Sequence, residues 1–331
     1  MADRTKSLQL DGVYSSIQRE LDDVEGRLGE ISGSANPLIA EINRYLFQQR
    51  GKRIRPALLL LSARLCGYKG ADDIFWSALV EIIHTASLIH DDIVDNSTLR
   101  RGRDTIHAKW GPNISVLLGD FLYIQSIALA LKTKTYPIID LLADVTSRMV
   151  EGELIEFSVN GDPALTEDVY LEIIEKKTAG LFAASCRIGG LLAGISPLLG
   201  GKLEEFGTAL GLSFQIVDDL LDFKGEEKAL GKPVLSDFRE GRFTLPLLHA
   251  LRTAGAKDRA RLLDLIAHRK TRAGAPQQVQ KIVRAAGSLD HAYERAGNFT
   301  RTAKGLLTEF PPSEHRTSLE RIADLVLLRN A

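Results

Sequence analysis

The chain has 331 residues, with 42 Lys and Arg against 43 Asp and Glu and a formal net charge of −1. Hydrophobic residues make up 44% and charged residues 26%, an ordinary globular balance that argues against a nucleic-acid or membrane-surface binder acting through bulk basic charge. Two cysteines, Cys66 and Cys186, exclude a disulfide scaffold and a cysteine-based zinc motif, and fit a reducing cytoplasm. The opening MADRTKSLQLDG has scattered charges and no apolar stretch, unlike a secretory signal. No run approaches 18 uninterrupted apolar residues, GLLAGISPLLGG being the nearest, so an integral membrane protein is not expected.

Helical periodicity dominates the chain. YSSIQRELDDVEGRLGEIS, within residues 1–35, predicts an amphipathic helix that caps a bundle or contacts a partner. The segment 77–95, SALVEIIHTASLIHDDIVD, has apolar residues at the three-and-four spacing of a helix. Similar patterns cover 116–132, 138–157, 171–194 and 203–223, then 259–268, a stretch around 277–310, and 318–330. Prolines 137, 163, 197, 233, 311 and 312 mark boundaries, and Pro246 suits the first turn of a helix. Strand signals are weak, and no repeat or low-complexity linker stands out. The expected fold is all-α: residues 1–331 as a single domain, one large helical bundle around a central apolar cavity, with 36–331 as its core.

Helices 77–95 and 203–223 are apolar almost all round until they end in acid. The first ends Asp91-Asp92-Ile-Val-Asp95 and the second Asp218-Asp219-Leu-Leu-Asp222. In each, the first and last Asp are four apart and project from one face about 6 Å from each other. Like charges at a helix C-terminus repel and oppose the macrodipole, so a positive partner is needed. Oxygen-only ligands favour Mg²⁺ or Ca²⁺, and Mg²⁺ completes its shell with waters and substrate phosphate. A solvated acidic helix end is the plainer account of one such motif, but two copies are hard to obtain by chance. An EF-hand is disfavoured because Asn96 stands where the loop needs Gly.

Basic residues accompany the acid. Arg50-Gly-Lys52-Arg53-Ile-Arg55-Pro56 packs four cations into six residues, with Lys52 and Arg55 on one helical face and Arg53 pointing elsewhere. Arg100-Arg101-Gly102-Arg103 follows the first acidic motif directly, a combination that suits a polyphosphate gripped by metal and guanidinium forks. Weaker signals have plain structural alternatives: His84, seven before Asp91, as a core histidine, Lys177-Thr178 as a snorkelling interruption of an apolar helix, and Gln215 as a buried amide. Gly231-Lys232-Pro233 and Gly241-Arg242 are either closing loops or turns.

Together GKRIRP, EIIHTASLIHDDIVDNSTLRRG, KKTAGLF, FQIVDDLLDFKG, LGKPVLSD and EGRFTLPLLHAL resemble, in order, the trans-isoprenyl (all-E polyprenyl) diphosphate synthase family, from about Pro37 to the C-terminus. The resemblance implies that Asp91, Asp92, Asp95, Asp218, Asp219 and Asp222 hold three Mg²⁺ ions on an allylic diphosphate contacted by Arg100, Lys177 and Lys232. It implies that Lys52, Arg55, His84 and Arg101 hold isopentenyl diphosphate, and that Thr178 and Gln215 steady the allylic carbocation. Arg242 stands where the family often has Lys. The implied reaction ionises the allylic C–O bond, adds isopentenyl diphosphate, and loses a proton; no protein nucleophile is required.

In this family the two residues four and five before the first Asp form a floor for the growing product, and bulky aromatics there resemble short-chain, farnesyl-type enzymes. Here they are Ser87 and Ala86, with Ile83 a turn below, which implies an open floor and a long product of quinone-side-chain length. Phe121, Leu122, Tyr123 and Leu129 are candidates for the true floor. The competing readings are a short- or medium-chain farnesyl or geranylgeranyl synthase, a silent subunit of a heteromeric synthase, a terpene cyclase and a plain helical scaffold. The intact aspartates and GKRIRP speak against the last three. The same resemblance implies a homodimer; the cysteine usage points to the cytoplasm, the charge balance to no nucleic-acid partner, and a long apolar product is one that could be passed to a membrane.

Overall fold

The structure, a computed structural model, describes residues 12–48, 50–100, 102–224, 235–269 and 271–328. It is all-α. Helices α1 (Gln18–Ser32), α2 (Pro37–Phe47), α3 (Ile54–Leu65) and α4 (Asp72–Val94) lead to a two-residue antiparallel hairpin, β1 (Leu99–Arg100) and β2 (Arg103–Asp104). Next come α5 (Ile106–Trp110), α6 (Pro112–Thr133), α7 (Tyr136–Ser158) and α8 (Glu167–Ile174). A π-helical turn, Glu175–Ala179, leads into α9 (Gly180–Leu192). Then follow α10 (Pro197–Lys224), α11 (Ser236–Glu240), α12 (Leu245–Thr253), α13 (Ala256–Ala267), α14 (Ala275–Ala285), α15 (Ser288–Leu306) and α16 (Glu314–Leu328).

The elements start where their residues can cap them. The Asn36 side chain accepts hydrogen bonds from the Leu38 and Ile39 amides, and Pro37 takes the first position of α2. Thr105 and Thr166 do the same for α5 and α8. Pro246 sits in the first turn of α12, as its sequence context suggests. The stretch around 277–310 forms two helices and a short 3₁₀ turn rather than one helix, because Gly287 takes a left-handed conformation, φ +65°, between α14 and α15. The expected helix over 171–194 is interrupted by the π turn, which periodicity alone does not reveal.

The chain divides into two compact units. One comprises the described residues of 1–146, 181–207 and 304–322; the other comprises 147–180, 208–303 and the end of α16. In the first, α4 packs along α6 and also against α1 and α3. The face of α4 around Leu79, Ile82, Ile83 and Ala86 is buried, as are Ala57 to Ala63 of α3. Gly189 lets α9 lie close to α3, since a Cβ there would stand 2.6 Å from the Ala63 amide nitrogen. The second unit has a core built on Ile216, Val217, Leu220 and Phe223 of α10, with Tyr170, Phe238, Phe243, Leu245, Leu262, Val279 and Ala292. Removing side chains of this size from water is the main stabilising contribution, at about 1.5–3 kcal/mol each.

Among the described residues one helix, α6, is long and apolar enough to cross a bilayer, with a mean hydropathy of 1.8 over its best 18-residue window. Its apolar runs are short, since Ser115, Gly119, Asp120, Gln125 and Ser126 are dispersed along it. Its exposed face carries Val116, Leu117, Ile124, Ile127 and Leu131.

Candidate active site

In the first unit, α4 carries His84, Asp91 and Asp92 in its last turns, with Asp95 as the C-cap. Asp92 is buried, 5% exposed, and its Oδ1 accepts from both Nε (2.9 Å) and Nη2 (2.8 Å) of Arg100 on β1. The hairpin folds Arg100 back onto Asp92 of the acidic motif, and Gly102, at φ +76°, makes the reversal possible. Arg101 lies outside the described residues. Lys52 is exposed just before α3, and Arg55 sits in the first turn of α3. The Arg55 guanidinium lies 4.7 Å from the Phe182 ring centroid, and its Nε is buried with no hydrogen-bond partner. Burial lowers the Arg55 pKa to about 10, with Glu81 opposing the shift. Ile83 and Ala86 are buried, and the half-buried Ser87 hydroxyl donates to the His84 carbonyl at 2.9 Å.

In the second unit the π turn carries Lys177 and Thr178. A π turn is an inserted residue in a helix, a feature concentrated at functional positions. Gly152 of α7 allows close approach here, because a Cβ would meet the Lys176 Cβ at 2.8 Å and the Lys177 Cγ at 3.0 Å. Lys177 Nζ then pairs with Glu153 at 2.6 Å and with Glu156. Burial alone would lower the Lys177 pKa, but the two carboxylates more than offset it and hold the ammonium charged. Neither glutamate was a sequence candidate; the signal available was their three-residue spacing on one face of 138–157.

Thr178 and Gln215 are joined. The Thr178 hydroxyl donates to Gln215 Oε1 at 2.8 Å, and Gln215 Nε2 donates to Asp219 Oδ1 at 2.8 Å. The second oxygen of Asp219 accepts from the buried Tyr170 hydroxyl at 2.6 Å. Burial and then Asp237 raise the Asp219 pKa well above the carboxylate range, while the two hydrogen bonds oppose that. The three aspartates of this motif are thus in different settings. Asp218 is exposed, Asp219 is enclosed, and Asp222 accepts from the Ser236 amide and hydroxyl and from the Asp237 amide at 3.1–3.2 Å. Burial and the Asp237 charge push Asp222 up to about 6. Arg242 pairs with Asp237 at 2.8 Å and with Glu240, and Lys232 lies outside the described residues.

Tyr170 was likewise not a sequence candidate. Its removal tests the network. Tyr170→Phe leaves a buried carboxylate oxygen without its donor and is expected to cost about 1–3 kcal/mol, read as a lower midpoint in thermal or denaturant unfolding. An unchanged midpoint would show that the hydroxyl bond contributes nothing.

Among the described residues no three Asp, Glu, His or Cys side chains converge into a ready-made metal site. The donor set nevertheless fits Mg²⁺, which takes one or two carboxylates per ion and fills its shell with water and phosphate oxygens. Two acidic helix ends, each with basic residues in its own unit, match that requirement.

Residues 36–285 match the family described as polyprenyl synthetase. The chain belongs to the polyprenyl synthetase family. It is therefore a prenyltransferase. It is 36% identical to an octaprenyl diphosphate synthase from Haemophilus influenzae, over 98% of each chain. A short chain isoprenyl diphosphate synthase from Methanothermobacter thermautotrophicus is 35% identical over 96% of this chain and 98% of its own. The fold is similar to the crystal structure of a polyprenyl synthase from Caulobacter crescentus complexed with calcium and isoprenyl diphosphate. That match has a TM-score of 0.92 at 35% identity and covers 97% of this chain and 98% of the other.

Proposed function

We propose that this polyprenyl synthase makes a long all-trans product by adding isopentenyl diphosphate repeatedly to an allylic diphosphate, with Mg²⁺ as its metal and the whole chain acting as one catalytic domain. The observation that carries the long-chain reading is the small-residue turn before Asp91: Ala86 and Ser87 stand where a bulky ring would stop the product. The calcium in the Caulobacter crescentus complex supports a divalent cation held by oxygen ligands.

The residues divide the work as follows. Asp91, Asp92, Asp95, Asp218, Asp219 and Asp222 hold the metal, directly or by fixing their neighbours. The chemistry that Mg²⁺ would supply there, when held by these carboxylates, is neutralisation of the charge on the departing diphosphate. Arg100 and Lys177 add fixed positive charge to the same group, with Arg101, Lys232 and Arg242 as further cations toward the diphosphates. The Thr178 and Gln215 oxygens, locked by their mutual hydrogen bond, face the allylic cation with negative dipole ends. Lys52, Arg55 and His84 hold isopentenyl diphosphate so that its double bond attacks the cation, and the released diphosphate takes the proton. Ile83, Ala86 and Ser87 line the path of the growing chain, which an apolar surface keeps from water.

The test is direct. The purified protein is incubated with Mg²⁺, isopentenyl diphosphate and farnesyl diphosphate, and product carbon number is measured. Long prenyl diphosphates are expected; arrest at a farnesyl or geranylgeranyl product would favour the short-chain reading, which the Methanothermobacter thermautotrophicus relative keeps in play.

The exposed face of α6 supports a homodimer. Leu117, Ile124 and Leu131 recur every seven residues and are 51–66% exposed, a stripe suited to a partner helix. Ile124→Asp is expected to convert a dimer to a monomer in sedimentation, and an unchanged mass would place the contact elsewhere. Cys66 and Cys186 are both free, which supports a cytoplasmic location.

A further inference from the structure

The four cations of the basic motif do not do the same work. Arg53 is 10% exposed and is held by two carboxylates. Its Nε and Nη2 donate to Glu25 of α1 at 2.5 and 3.1 Å, and its Nη1 donates to Glu81 of α4 at 2.6 Å. Arg50 turns to Asp22, also on α1, at 3.0 Å. Asp22 and Glu25 are three apart on one face of α1, as Arg50 and Arg53 are in the motif, so α1 reads the motif with matched spacing.

Three further observations tie Arg53 to the geometry of its neighbours. Its backbone is left-handed, φ 50° and ψ 37°, a conformation that costs a non-glycine residue about 1 kcal/mol or more and persists only when its surroundings enforce it. It is the N-cap of α3, whose first turn bears Arg55. The Tyr14 hydroxyl donates to the Lys52 carbonyl at 3.3 Å, anchoring the residue on the other side. Glu81 lies three residues before His84 on α4. One guanidinium thus links the loop carrying Lys52, the turn carrying Arg55 and the helix carrying His84. A buried ion triad is a poor way to stabilise a fold, because desolvation offsets most of its attraction; fixing a geometry is its better-attested use.

We propose that Arg53, clamped between Glu25 and Glu81, is a positioning residue for the isopentenyl diphosphate site, and that α1 belongs to that site through Glu25. Helix α1 lies before the 36–285 stretch that matches the family. The inference rests on the reading of Lys52, Arg55 and His84 as the contacts to isopentenyl diphosphate.

The experiment varies each substrate separately in the full-length enzyme with Glu25→Ala, Glu25→Gln and Arg53→Lys. KM for isopentenyl diphosphate is expected to rise about tenfold for Glu25→Ala and Arg53→Lys, the size usual when the partner of a binding group is lost, and less for Glu25→Gln. KM for the allylic substrate and kcat should stay within about twofold, since the residues paired with Glu25 and Arg53 are not among those assigned to the allylic substrate. Calorimetric titration with isopentenyl diphosphate should show the same weakening without turnover. A merely structural clamp would lower the melting temperature and leave both KM values alone or shift them together, and either result overturns the proposal. Lys52→Ala separates the two layers. If it raises KM for isopentenyl diphosphate while Glu25→Ala does not, the role of α1 fails alone. If Lys52→Ala changes nothing, the assignment of the substrate site fails and takes the proposal with it.

Discussion

Asp218→Ala is expected to lower kcat by about 10³-fold or more, because on the proposed assignment it removes one carboxylate from the metal site that activates the diphosphate and forfeits about 4 kcal/mol or more of charge stabilisation at about 1.4 kcal/mol per decade. Asp218 is the exposed member of its motif, so the melting temperature should stay within about 2 °C. The Mg²⁺ concentration needed for half-maximal rate should rise as well, a readout independent of kcat. Asp219→Ala is the informative contrast. Asp219 is 6% exposed and accepts from both Tyr170 and Gln215, so its loss leaves one buried donor and one half-buried donor without an acceptor. That variant should lose stability as well as rate, by about 1–3 kcal/mol per stranded donor. A near-normal kcat for Asp218→Ala would remove the second motif from the metal site.

The second large effect concerns product length. Ala86→Phe and Ser87→Phe are each expected to shorten the main product by two or more isoprene units, measured by chromatography against prenyl standards. Ala86 is fully buried on α4 and Ser87 half-buried beside it, so the two substitutions probe the same turn at different packing costs. A phenyl ring added to a close-packed core costs about 1–3 kcal/mol, whereas a ring filling space vacated by a growing chain costs little. Shorter product with a near-normal melting temperature would support the floor reading. Unchanged length with a lowered melting temperature would show that position 86 faces protein rather than product.

Much of this was legible before any coordinates. The three-and-four periodicity of 77–95 and 203–223 corresponds to α4 and α10, because burial on most sides demands apolar residues nearly all round; the acid in the middle of α4, Glu81, is tolerated through its pairing with Arg53. The two Asp-Asp-x-x-Asp motifs lie on those ends, and the family match agrees with the resemblance drawn from them. The site beyond the motifs was less legible. The π turn at Lys177 and Thr178 leaves no mark on periodicity beyond an interrupted apolar face, since one inserted residue shifts the phase by less than a helical turn. Tyr170 looked like any aromatic residue on an apolar helix face; only its neighbour Asp219 makes it polar in function.

What the sequence by itself determined is the kind of element and the family: helices from their period, and the polyprenyl synthetase resemblance from clustered carboxylates beside clustered cations, from which the diphosphate-directed metal site is proposed. Those signals are local, each motif being carried within a few consecutive residues. Only the tertiary structure decided the partners. It sent Arg53 to Glu25 and Glu81, 28 positions away on either side, and Tyr170 to Asp219, 49 positions on. It also gave Lys177 to Glu153 and Glu156 rather than to solvent. The net charge of −1 had already implied that cations and anions balance, but a balance has no addresses. Pairing between charges far apart in sequence depends on which helices the apolar core brings together, and the core is indifferent to charge until it has formed.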